Sequence, residues 1–136
     1  MSAITQLFGK LRAKRFAPGE VLIEEGGAQG KLFVLESGEL GILRHGVEVA
    51  TVAESGALVG EISALLEMPP SATVKAKTAV RAYLVPNPVA RLIDDPALLL
   101  HVARLLASRL AETTAYLAKS RQKTIPAKVS PMLREL

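Results

Sequence analysis

Short apolar runs, most of them separated by glycine, fill the middle of the chain, and helix-spaced patterns lie on either side. Val21–Ile23 ends at Glu25-Gly26-Gly27, and Leu32–Leu35 ends at Ser37-Gly38. Leu40–Arg44 and Val47–Val52 flank His45-Gly46, a two-residue link suited to a tight hairpin. Ala72–Ala76 and Val80–Val85 complete the set. Many short strands with regular turns predict a sandwich or jelly-roll barrel over residues 15–86, mainly β, rather than an α/β fold. Within it, Glu61–Leu66, between Gly60 and Pro69-Pro70, favours a single helical turn.

Outside the β region, Ile4, Leu7, Phe8 and Leu11 recur at helical spacing, which predicts a short N-terminal helix over 4–13. Two helices are expected after Pro86: a short hinge helix over 88–94 and a long one over 96–119. Asp95 stands as N-cap of the long helix and Pro96 at its first position. Leu99, Ala103, Leu106, Leu110, Thr113 and Leu117 alternate steps of four and three, a narrow apolar seam of which one part can cover the barrel mouth and the rest pair with a second subunit. Pro126 and Pro131 break helicity, so 122–136 reads as a flexible basic tail behind one domain over 1–121.

Composition narrows the function classes. With 136 residues, one domain can bury its own core. No cysteine is present, which excludes disulfides, thiolate catalysis and cysteine-ligated metals and fits a reducing compartment. The N-terminus carries Lys10, Arg12, Lys14 and Arg15 in place of an apolar h-region, and charges interrupt every long apolar run. The expectation is a cytoplasmic protein with no membrane span. The net charge of +4 comes from residues beyond 95, where Arg104, Arg109, Lys119, Arg121, Lys123, Lys128 and Arg134 face only Glu112 and Glu135. Without aromatic interleaving or a recognition helix, that charge does not point to nucleic acid. The two histidines, His45 and His101, lie far apart in sequence, and no catalytic triad, P-loop or carboxylate pair stands out. An enzyme is the least expected class, and no cofactor or metal is implied.

Three stretches carry a resemblance. Phe16-Ala17-Pro18-Gly19-Glu20-Val21-Leu22-Ile23-Glu24-Glu25-Gly26 resembles the opening of cyclic nucleotide-binding domains, and Leu32-Phe33-Val34-Leu35-Glu36-Ser37-Gly38-Glu39-Leu40 their third and fourth strands. Gly56-Ala57-Leu58-Val59-Gly60-Glu61 with Pro70-Ser71-Ala72-Thr73-Val74 resembles their phosphate-binding cassette. The resemblance covers residues 10–118, catabolite activator-like but without room for a DNA-binding domain. It implies an eight-stranded jelly-roll β-barrel with a short N-terminal helix, a hinge and a long C-terminal helix. It also implies a ligand of the cAMP or cGMP type.

By the same resemblance, Gly60 lets the backbone approach the ligand and Glu61 accepts a hydrogen bond from the sugar hydroxyl. Backbone N–H groups of Ile62 and Ser63 donate toward the phosphate. Ser71 supplies a hydroxyl and Ala72 an N–H, while Val59 and Val74 flank the base. One position departs from the pattern: the family places an arginine immediately before Ser71-Ala72, and this chain has Pro70. Proline brings neither charge nor donor, so the guanidinium contact to the phosphate is absent. Lys75, Lys77, Arg104 and Arg109 are candidates to replace it. Two functions follow. One is a stand-alone sensor whose ligand sets the position of the C-terminal helix. The other is a degenerate member that binds no nucleotide and serves as a protein-interaction or dimerisation module through the 96–119 helix.

Overall fold

The computed structural model describes residue 8 and residues 10–124, with side chains as far as 121. Eight strands appear: β1 (Arg12–Phe16), β2 (Val21–Ile23), β3 (Leu32–Ser37), β4 (Leu40–Arg44), β5 (Val47–Val52), β6 (Leu58–Val59), β7 (Thr73–Ala76) and β8 (Val80–Val85). Among the described residues three helices follow: α1 (Glu61–Leu66), α2 (Pro88–Asp94) and α3 (Pro96–Thr124). The strands form two four-stranded antiparallel sheets, ordered β1-β8-β3-β6 and β2-β7-β4-β5. This is the expected jelly roll, with one correction. Among the described residues no strand pairing joins the two sheets, so the barrel is open. β2 and β6 have three and two residues, too few to extend a ladder into the other sheet.

Alternation explains why two sheets enclose one core. Leu22, Ile23, Leu40, Val74 and Ala76 from one sheet meet Phe33, Leu35, Val59, Val80 and Ala82 from the other. Phe16 joins them edge-on to Phe33, ring centres 5.8 Å apart. Each of the valine, leucine, isoleucine and phenylalanine side chains, fully removed from water, stabilises the fold by roughly 1.5–3 kcal/mol. The β3–β8 ladder pairs Phe33 with Leu84 and Leu35 with Ala82 on that face, and Leu32 with Val85 and Val34 with Tyr83 on the other. Leu32, Val34, Tyr83 and Val85 are also buried, which accounts for the unbroken run Leu32-Phe33-Val34-Leu35 in these central strands. β5 is the opposite case. As an edge strand it leaves Val47 and Val49 more than half exposed despite its alternating pattern. The His45-Gly46 hairpin forms as expected, both residues with positive φ (51° and 79°).

The helix expected over 4–13 is met at Phe8 and not at residues 10–13. Most of 4–13 lies outside the described residues; Phe8 is helical, but Lys10 and Leu11 form a turn and bend, and Arg12–Ala13 belong to β1. The cause is tertiary, because Arg12–Phe16 pairs residue for residue with Leu84–Val80 of β8. The long helix continues to Thr124, so residues 122–124 are helical and do not belong to a tail; 125–136 lie outside the described residues. The chain divides into two compact units, Met1–Leu99 and Leu100–Leu136, the break falling inside α3. The apolar seam on α3 is also not its buried face. Leu99, Leu110 and Leu117 are 46%, 68% and 46% exposed, whereas Leu98 and Val102 are buried.

Candidate functional site

Residues 60–72 cross from one sheet to the other at one end of the sandwich, since β6 belongs to the first sheet and β7 to the second. β6 enters paired to β3, Phe33 opposite Val59 and Val34 opposite Leu58. Gly60 then turns the chain with φ +86°. A Cβ at this position would stand 2.1 Å from the Lys31 carbonyl oxygen and 2.7 Å from Ile23 Cδ1. Only glycine satisfies both the left-handed backbone and this close approach. The turn opens α1, whose first bond runs from Ala64 N–H to the Gly60 carbonyl at 2.9 Å.

Ser63 closes the other end of the helix. It is 3% exposed, and its hydroxyl donates to the Met68 carbonyl at 2.6 Å and accepts from Gly30 N–H at 3.3 Å. Glu67 takes a left-handed conformation, and Met68-Pro69-Pro70 cannot continue the helix. The returning strand is strapped to the loop between β2 and β3. Gly26 N–H donates to the Pro70 carbonyl at 2.9 Å, and Glu25 N–H donates to Thr73 Oγ1 at 3.0 Å. The Glu25 carboxylate in turn accepts from His45 N–H at 2.9 Å and lies 3.3 Å from His45 Nδ1, so the hairpin tip joins the same assembly.

The residues expected to bind ligand therefore separate into groups. Gly60 sits at the turn, Glu61 beside it is half-buried, and Ile62 is 48% exposed. Ser63 has its hydroxyl committed internally, which leaves only its backbone for a ligand. Ser71 is exposed and Ala72 half-buried. Val59 and Val74 are packed into the core cluster, from opposite sheets, rather than standing free. Pro70 is buried. Of the candidate replacement cations, Lys77 is held by Glu48 and Thr51 at 3.1 Å each. Lys75, between buried Val74 and Ala76, faces solvent away from the core. Arg104 and Arg109 belong to the second unit.

Three features escaped the sequence reading. Lys31 lies against Gly60, and the Glu25–Thr73 strap secures the crossing. A cleft of about 520 Å³ is lined by Gln29, Gly30, Ser63, Glu67, Asn87 and Val89, among others, and only Ser63 of the expected residues borders it. None of the three has a local signal, except that Thr73 falls within the Ser-Ala-Thr-Val motif. Among the described residues no cluster of histidine and carboxylate can hold a metal, and no helix is long and apolar enough to cross a membrane.

Comparison with known proteins gives these features a context. The family model for the cyclic nucleotide-binding domain matches residues 13–93. A cAMP-dependent protein kinase regulatory subunit from Hypocrea atroviridis is 35% identical over 97 residues, which is 71% of this chain and 21% of that protein. The crystal structure of a cyclic nucleotide-binding domain from Methylobacillus flagellatus aligns with a TM-score of 0.70 at 21% identity, covering 91% of this chain and 74% of that one. The regulatory subunit of a cAMP-independent protein kinase A from Trypanosoma cruzi, bound to guanosine, aligns with a TM-score of 0.55 at 26% identity, covering 67% and 33%. The chain spans only 7% to 21% of the length of the curated relatives it matches.

Proposed function

The chain belongs to the cyclic nucleotide-binding domain family, and from that premise we propose that it is a regulatory sensor whose ligand lies against the Gly60–Thr73 crossing. The supporting observation is the Gly60 turn, where a left-handed residue pressed on the Lys31 carbonyl leads directly into Glu61. In this reading the Glu61 carboxylate accepts a hydrogen bond from a sugar hydroxyl. The Ile62 and Ser63 N–H groups, the Ser71 hydroxyl and the Ala72 N–H face a cyclic phosphodiester. Binding favours one position of the C-terminal helix over another, and a second subunit or partner reads that position. The exposed seam of Leu99, Leu110 and Leu117 is suited to such a contact.

Pro70 changes which part of the ligand contributes most. A charged hydrogen bond to the phosphate contributes about 1.5–3 kcal/mol, and its loss weakens binding by roughly ten- to a hundredfold. Recognition then rests more on base and sugar. The likeness to a cAMP-independent regulatory subunit bound to guanosine, a nucleoside without phosphate, supports this emphasis. A second reading, an interaction module that binds no nucleotide, is favoured by the same residue, buried with its carbonyl tied to Gly26.

Calorimetric titration with cAMP, cGMP and guanosine separates the two. The sensor reading expects saturable binding of at least one, weakened by Glu61→Gln. Silence with all three at millimolar concentration overturns it in favour of the interaction module.

A further inference from the structure

The two edges of the first sheet are built differently. β6 at one edge is short and leads into the Gly60 turn, whereas β1 at the other runs over five residues, Arg12–Phe16. β8 engages one side of β1 residue for residue. Among the described residues no hydrogen bond outside that ladder reaches the backbone of 12–16. Its outer row of N–H and C=O groups is therefore open to another strand.

The same edge is basic. Arg12 and Arg15 are exposed, Lys14 is half-buried, and exposed Lys10 lies in the turn just before them. The register sets Arg12 opposite Leu84 and Lys14 opposite Ala82, on the core face, and Arg15 opposite Arg81 on the other. β8 thus offers none of them a carboxylate, and Glu36 on the strand beyond is engaged by Arg81. Among the described residues Lys10, Arg12, Lys14 and Arg15 form no ion pair, whereas Lys77, Arg81 and Arg91 each have one. Like charges keep two copies of this edge from pairing with each other, but an acidic strand meets no such barrier. The flanking aromatics Phe8 and Phe16 are packed against Tyr83 and Phe33, so neither is offered to a lipid surface or a nucleic-acid base.

We propose that the free edge of β1 binds an extended acidic segment of a partner protein, which adds to the four-stranded sheet as a further strand. Residues opposite one another on neighbouring strands share a face, so the cations dictate the partner's pattern. An antiparallel segment meets Arg15, Lys14, Ala13 and Arg12 in that order, which calls for acid, acid, a small or apolar residue, then acid. The edge lies across the sheet from β6 and the crossing, and the proposal does not depend on the sensor reading.

Fluorescence anisotropy on the full chain tests it, with the labelled peptide Thr-Val-Glu-Glu-Val-Glu-Val-Thr at low salt. Wild type should bind saturably, and binding should weaken as salt rises. The peptide carrying glutamine at every glutamate should bind roughly tenfold more weakly. A peptide N-methylated at alternate residues, which cannot donate to β1, should lose affinity as well. Arg12→Gln and Arg15→Gln should each weaken binding roughly two- to fivefold, with circular dichroism checking the fold. Wild type that does not bind the peptide overturns the proposal. If the double variant then also self-associates, the cations serve only to protect an exposed edge. Affinity unchanged in Arg12→Gln and Arg15→Gln overturns it too, because the peptide then sits elsewhere. Equal affinity for the N-methylated peptide overturns strand addition. Binding to phosphatidylserine vesicles or single-stranded DNA, with the peptide silent, assigns the edge to another class of partner and overturns the proposal.

Discussion

Gly60 and Ser63 hold the crossing by different means, and each can be probed by one substitution. Gly60→Ala brings a methyl to 2.1 Å from the Lys31 carbonyl oxygen at φ +86°, so backbone strain and overpacking coincide. A loss of about 2–5 kcal/mol in urea unfolding is expected. Ser63→Ala leaves the Met68 carbonyl and Gly30 N–H without their buried partner, at a cost of about 1–3 kcal/mol by the same measurement. Gly60 could be picked out from sequence, because glycine before a short helix has a local reason. The buried role of the Ser63 hydroxyl could not, because its partners are five residues ahead in one direction and thirty-three behind in the other. Pro70→Arg tests function rather than stability. Its carbonyl still accepts from Gly26, and calorimetry should show cyclic nucleotide affinity rising about tenfold or more.

Elements differ in how much of their structure is local. α1 and α2 fall where the sequence places them, because glycine, proline and short apolar spacing act within one turn. β1 does not. Arg12-Ala13-Lys14-Arg15-Phe16 has no strand pattern of its own and becomes one by pairing with β8, where Arg15 stands opposite Arg81 and Glu36 supplies the compensating charge. On α3 the heptad steps were legible but their exposure was not, since Leu98 and Val102 take the buried positions. The exposed seam predicts self-association. Light scattering after gel filtration should give a dimer that Leu110→Glu returns to monomer, and a monomeric wild type would count against the seam as an interface.

At the scale of the molecule, stability is coupled to pH through His101. Burial desolvates its imidazole and lowers its pKa below the ordinary 6.5. The unfolded chain therefore binds a proton near that pH more readily than the folded one. Stability is full above about pH 6.5 and falls as pH drops below it. Thermal unfolding from pH 7.5 to 5 should show the midpoint declining on the acid side about 6.5, and His101→Gln should flatten that decline. A slope unchanged in His101→Gln would assign it elsewhere.

The six runs that form β2, β3, β4, β5, β7 and β8, the hairpin at His45-Gly46, the bounds of α1 and the Gly60-Glu61 turn were determined by sequence alone. Each depends on alternation, left-handed backbone or helix-breaking residues within a few positions. Tertiary structure decided that β1 is a strand, that the two sheets remain unjoined, that Val59 and Val74 belong to the core, and that the Lys31 carbonyl lies against Gly60. Those outcomes depend on which segments pair across 24 to 72 residues of chain, and no local spacing records that.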